Sequence, residues 1–172
     1  MFINVIQYFD SAIKQVNIAS LQVSIQLLSS FLTPLIAITA AYIAYQQYRT
    51  NKQKLKLDMY EKRFKVYLGL QALLIHILEN ADVSDEALKY FQINTSESAF
   101  IFGKDISDYL SSIRNKSITL RGQNYQLYHA GLPIGEERNR IAEAKNKLLF
   151  ELTDQEFKIS EQKFAKYLRI NI

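Results

Sequence analysis

Apolar and polar positions divide this chain unevenly. From Gln15 to Tyr48 no side chain is charged, and the densest part, Val23 to Tyr45, reads VSIQLLSSFLTPLIAITAAYIAY. As a helix this part would be roughly 34 Å long at ~1.5 Å per residue, enough to cross a hydrocarbon core of ~30 Å. Upstream, Phe2, Ile6, Phe9, Ile13 and Val16 recur at alternating spacings of four and three, with Asn4, Gln7, Asp10 and Lys14 elsewhere on the wheel. That pattern predicts an amphipathic segment over 1–18. A transmembrane helix is expected over 19–48 and an α-helical domain over 49–172. The expected fold class is all-α: a single transmembrane helix continuing into a cytoplasmic helical bundle.

Beyond Tyr48 the helical period persists, and no proline or glycine intervenes before Gly69. Tyr60, Phe64, Tyr67, Leu68, Gln71, Leu74, Ile75 and Leu78 form the expected stripe of one helix leading out of the span. Val66 to Leu78 is too short to cross a second time and is interrupted by Gly69, Gln71 and His76, which makes it a core helix. A turn over Asn80 to Asp85, capped by Asp82 or Ser84, leads to a short helix, DEALKYFQI. NTSES reads as a loop and AFIF as a short apolar run ended by Gly103. Asp105 can cap a helix carrying Ile106, Tyr109, Leu110 and Ile113, and RGQNYQLYHAGLPIG is the least regular stretch. A last helix is expected from about Glu136 to Leu168, with Ile141, Lys145, Leu148, Leu149, Leu152, Phe157, Phe164, Tyr167 and Leu168 at helical spacing. Phe64, Tyr67, Leu74, Phe157, Phe164 and Leu168 are expected to pack together. Pro34, near the middle of the span, should kink it.

Charge adds an orientation. Arg49, Lys52, Lys54, Lys56, Lys62, Arg63 and Lys65 follow the apolar run closely, whereas only Lys14 precedes it. The carboxy side should therefore be cytoplasmic and the amino end outside. Tyr42, Tyr45 and Tyr48 suit the interface, where an apolar ring can keep its hydroxyl wet. A cleaved signal peptide does not fit, because no basic region precedes an apolar segment of this length. Arg49, Lys52, Lys54 and Lys56 are the residues expected to set topology and meet anionic headgroups of the lipid bilayer. Direct nucleic-acid binding is not expected, since residues 79–108 are net acidic and no basic face runs through the domain.

Candidate chemistry is sparse. Cysteine is absent, so disulfides and thiolate metal sites are excluded. His76 and His129 lie far apart, with no carboxylate at metal-ligand spacing, and no HExxH, Walker A or G-x-S-x-G motif occurs. The pairs Asp85–Glu86 and Glu136–Glu137 open expected helices, where they complement the helix dipole. No catalytic, cofactor-binding or metal-ligating residues are assigned, and no enzyme activity is expected. The span itself carries the one suggestive pattern. At ~100° per residue, Gln22, Gln26, Ser29, Thr33, Ala37, Ala40 and Ala44 fall within a sector roughly 80° wide, together with Gln15 and Gln47. Small and polar residues in a line suit close helix–helix contact and interhelical hydrogen bonds, so a homo-oligomer is expected.

A membrane span followed by KLKLDMYEKRFKVY, then AFIFGKDISDYL and a closing KFAKYLRI, resembles small bacterial transmembrane effector proteins of anti-phage systems, of the retron type. The resemblance implies a toxin-like effector, held in check by a reverse transcriptase and its RNA–DNA product, that damages the inner membrane on infection. It carries over no catalytic residues. The alternative expectation is a non-toxic membrane-anchored adaptor that docks a soluble partner through its helical domain.

Overall fold

The computed structural model describes the backbone of residues 2–169, and side chains from residue 22 onward except Ser24 and Leu28. Every regular element among the described residues is helical. Helix α1 runs Phe2–Asn80 without interruption, through Pro34. It is followed by α2 (Asp85–Thr95), a single turn α3 (Ser98–Ile101), α4 (Lys104–Tyr128) and α5 (Glu136–Phe150). A π-helical turn, Glu151–Gln155, then leads directly into α6 (Glu156–Leu168). The chain divides into two compact units, Met1–Lys54 and Leu55–Ile172.

The first unit is a single helix, and none of its described side chains is buried. Its described large apolar side chains, from Val23 to Tyr48, are all more than half exposed. α1 is the one helix among the described residues that is long and apolar enough to cross a membrane, with a mean hydropathy of 1.8 in its best window and none of that window buried. The stripe Phe2, Ile6, Phe9, Ile13 and Val16 lies on helical backbone, but its side chains fall outside the described residues.

The second unit has a core. Val66, Leu70, Leu73, Leu74 and Ile77 of α1 meet Phe91 of α2, Phe102, the α4 face Ile106, Tyr109, Leu110, Ile113 and Leu120, then Leu152 and Phe164. This corrects the expected phase of α1. Phe64, Leu68, Ile75 and Leu78 are 37%, 49%, 45% and 57% exposed, while Leu70 and Ile77 are fully buried. At ~100° per residue the four exposed positions lie about 80–180° from Leu70 and Ile77, and both faces are apolar, so periodicity alone could not choose between them. Of the expected aromatic cluster, Leu74 and Phe164 are fully buried, and Tyr67, Phe157 and Leu168 pack against the core partly covered. Phe64 sits at the rim, stacked on Tyr60.

Local chemistry explains the ends of these elements. Ala81 takes a left-handed φ of 51° and its N–H donates to the Ile77 carbonyl, which stops α1. Ser84, one of the two expected caps, accepts from the Ala87 N–H at 3.1 Å and starts α2. Helix α4 is capped at Gly103 rather than Asp105. It also continues through Gly122 to Tyr128, where an irregular stretch was expected. Leu120, Asn124 and Leu127 keep the buried period across the glycine, and the Asn124 amide donates to the Ala81 carbonyl and the Asp82 carboxylate. Gly69 is required by a close approach: a Cβ there would lie 2.6 Å from the Asn94 Cβ on α2.

Candidate functional site

The polar residues of the charge-free stretch occupy regular helix, and Gln22, Gln26, Ser29, Thr33, Ala37, Ala40 and Ala44 are all exposed. Their hydroxyls are satisfied within the helix: Ser29 Oγ donates to the Gln26 carbonyl at 2.9 Å and Thr33 Oγ1 to the Ser29 carbonyl at 3.0 Å. Ser30 and Thr39 bond back in the same way. This back-bonding lets small hydroxyls sit in an apolar environment without an outside partner. A glutamine amide is too long to be hidden so easily, and that of Gln26 has no bond among the described residues. At the end of the stretch, Gln46 Nε2 donates to the Tyr42 hydroxyl at 2.9 Å. Arg49, Lys52, Lys54 and Lys56 are exposed and form no ion pair among the described residues.

Within the second unit the notable electrostatic feature is one that sequence reasoning missed. Glu156, 3% exposed, accepts from Lys116 Nζ at 2.7 Å and from the Tyr109 hydroxyl at 2.8 Å. Lys116 also reaches Glu151 at 2.5 Å. Residues five apart would point about 140° apart on an α-helix at ~100° each. The π turn, in which the Glu156 N–H donates to the Glu151 carbonyl, lets both carboxylates reach one lysine. Burial works against the charge on Lys116, but its hydrogen bonds to Glu151 and Glu156 prevail and hold its pKa above the usual lysine value. Burial, and then the bond to Glu156, push the Tyr109 hydroxyl well above its ordinary range. Both shifts favour the charged ammonium of Lys116 and the protonated hydroxyl of Tyr109, which suits a clasp joining α4 to the π turn. No spacing in the sequence signals it, because the α-helical period places Glu151 and Glu156 on different faces.

The histidines have structural settings. His76 Nε2 accepts from the Ser84 N–H at 3.3 Å, bracing the turn after α1, and His129 caps α4 with its ring stacked on Tyr125. Among the described residues, no group of three or more His, Asp or Glu side chains is placed to hold a metal ion.

A second cluster forms around Arg63. Its Nε donates to the Ile101 carbonyl at 3.2 Å and Nη1 to the Tyr167 carbonyl at 3.5 Å. The guanidinium also lies over the rings of Phe102 and Tyr167, 6.0 and 5.5 Å from their centroids. Tyr167 is in turn held by its hydroxyl, which donates to Asp105 at 2.8 Å. The Lys166 ammonium, followed by the Tyr167 hydroxyl, holds the Asp105 carboxyl below its usual pKa. Beside Arg63 opens a recess of about 440 Å³, lined by Leu55, Lys56, Met59, Tyr60, Arg63, Tyr167 and Arg169. The spacing of Lys56, Tyr60 and Arg63 along one helix face is visible in the sequence, whereas their meeting with Tyr167 and Arg169 is not.

No family model, no curated protein and no solved structure matches this chain.

Proposed function

We propose that this protein is a non-enzymatic, membrane-anchored effector of a bacterial antiviral system of the retron type, which compromises inner-membrane integrity when released from restraint. In this reading α1 crosses the membrane once, with the amino end outside, and continues into a cytoplasmic helical bundle. The observation that carries it is the exposed N-terminal helix: more than twenty consecutive uncharged residues whose described apolar side chains have nothing to cover them. Water does not tolerate such a surface, and a bilayer does. Within lipid, the line Gln22, Gln26, Ser29, Thr33, Ala37, Ala40 and Ala44 is the part that gains from a second copy. Two small-residue faces can approach closely, and glutamine amides can bond across the interface. A ring of such faces gathers polar groups in the hydrocarbon and lowers the barrier to ions. The restraint implied by the resemblance, a reverse transcriptase with its RNA–DNA product, would act through the cytoplasmic unit.

The experiment is expression of the chain alone, read with a membrane-potential dye, beside the double variant Gln22→Leu/Gln26→Leu. The parent is expected to depolarise cells. The double variant should reach the membrane in equal amount yet lose both detergent-stable oligomers and depolarisation. A harmless parent, or a double variant that kills equally, refutes the mechanism. A phosphatase fused after Ile172 should be inactive if that end is cytoplasmic. One observation favours the alternative adaptor reading: Leu68, Ile75 and Leu78 leave an apolar face of α1 uncovered on the second unit. A harmless parent that still sits in the membrane would support it.

A further inference from the structure

The recess beside Arg63 combines cationic and apolar walls. Lys56, Arg63 and Arg169 bring three cations to its lining, and none forms an ion pair among the described residues. Arg63 is held in place by two carbonyls and two aromatic rings, and these bonds commit only two of its five N–H donors. A guanidinium so fixed loses little freedom when it binds a planar or tetrahedral oxyanion. The other walls are apolar: Leu55, Met59 and the ring of Tyr60. Cationic groups beside an apolar wall match a ligand with a charged head and a greasy root.

We propose that this recess binds the phosphate of one anionic phospholipid, with Lys56, Arg63 and Arg169 on the phosphodiester and Leu55, Met59 and Tyr60 against the glycerol and the start of the acyl chains. Leu55 follows Tyr48 by only seven residues, ~10 Å of helix, so the recess belongs to the stretch of chain that meets headgroups if α1 crosses the bilayer. The inference rests on that reading of α1 and deepens it. The basic residues after Tyr48 do more than repel translocation, because part of the block joins the far end of the chain in a shaped site. Occupancy would also tie α1 to the end of α6, since Lys56 and Arg63 lie on the first and Arg169 directly follows the second.

The test uses the full chain purified in a neutral detergent and titrated with phosphatidylglycerol, with bound lipid counted by native mass spectrometry. One lipid per chain should be retained. The surface double variant Lys56→Ser/Arg169→Ser should bind at least tenfold more weakly, and Arg63→Lys, which keeps the charge but loses the planar fork, should also weaken binding. The control Lys62→Ser/Lys65→Ser removes the same charge from other faces of α1 and should bind as the parent does. Phosphatidylcholine, with the same phosphate but no net charge, should be retained at least tenfold less. Equal losses in the control and the recess variant, or equal retention of phosphatidylcholine, would overturn the site. Displacement of the lipid by an equal concentration of glycerol 3-phosphate or inorganic phosphate would make the ligand a soluble phosphate and overturn the lipid assignment. Failure of the recess in a chain that still inserts into vesicles leaves the anchor standing; a chain that never inserts removes both.

Discussion

Two leucines, two positions apart on α1, test the architecture of the second unit directly. Leu70 is fully buried in the core and Leu68 is 49% exposed on the opposite side of the helix. Truncating a buried leucine to alanine removes its transfer free energy and leaves a cavity, for a cost of about 2–5 kcal/mol. Leu68 gives up a half-buried side chain and leaves no enclosed void, so its cost should stay below about 1 kcal/mol. The unit comprises 172 − 54 = 118 residues. A domain of that size has a stability of roughly 6–18 kcal/mol, so both variants should fold at 25 °C. At about 3–5 °C per kcal/mol for this size, Leu70→Ala should lower Tm by roughly 6–25 °C and Leu68→Ala by less than about 5 °C. The transition is best followed by near-ultraviolet circular dichroism of the full chain in detergent, because the chain has eleven tyrosines and no tryptophan. Tyr67 and Tyr109 lie against or within the core and report its packing, whereas far-ultraviolet signal would also register α1 outside the unit. Equal shifts, or a larger shift for Leu68→Ala, would mean that the buried face of α1 is the one carrying Leu68, Ile75 and Leu78, and the description of the core would be wrong.

Other substitutions probe single contacts. Gly69→Ala, normally favourable inside a helix, should instead cost about 1–3 kcal/mol, because its Cβ would meet Asn94 on α2 at 2.6 Å; a rise in Tm would show that α1 and α2 do not cross there. Lys116 has a raised folded-state pKa, so its contribution is fully present below the ordinary value of 10.5 and is lost as pH rises through the folded value. Lys116→Met should therefore lower stability at neutral pH and flatten the alkaline loss, and parallel stability–pH curves for parent and variant would refute the clasp. Asp105 behaves in the opposite sense: its pKa is depressed, first by the hydrogen bond from Lys166, so its contribution is present above 3.8 and is lost as pH falls through the folded value. Lys166→Ala should shrink that acid-side loss in urea titrations between about pH 5 and 2, and an unchanged acid limb would mean that the pair does not form in solution.

What could be read in advance depended on whether the signal lay along the chain or across it. The charge-free stretch and the basic block after it are one-dimensional patterns, and α1 emerged as a single helix over both. Helix boundaries at Asp85, Glu136 and Leu168 were legible for a similar reason, since a cap, a pair of acids at a helix start and the end of a periodic run are local chemistry. The phase of α1 beyond Leu55 was not legible. A helix with apolar residues on two opposite faces has a clear period but no preferred side until its neighbours are placed, and the α2 crossing at Gly69 helps select the side holding Val66, Leu70 and Ile77. Gly122 misled for a different reason: it counted as a breaker, although Leu120, Asn124 and Leu127 carried the buried period across it. The polar clusters of the second unit lay furthest out of reach. The carboxylates on Lys116 share it only because a π turn replaces the α-helical period, and the cations of the recess come from positions more than a hundred residues apart. A basic run scored along the chain looks like a topology signal alone. Folding Tyr167 back onto Arg63 brings Arg169 to the same recess as Lys56 and Arg63, so charges that read along the chain as one run belong in space to a recess with apolar walls.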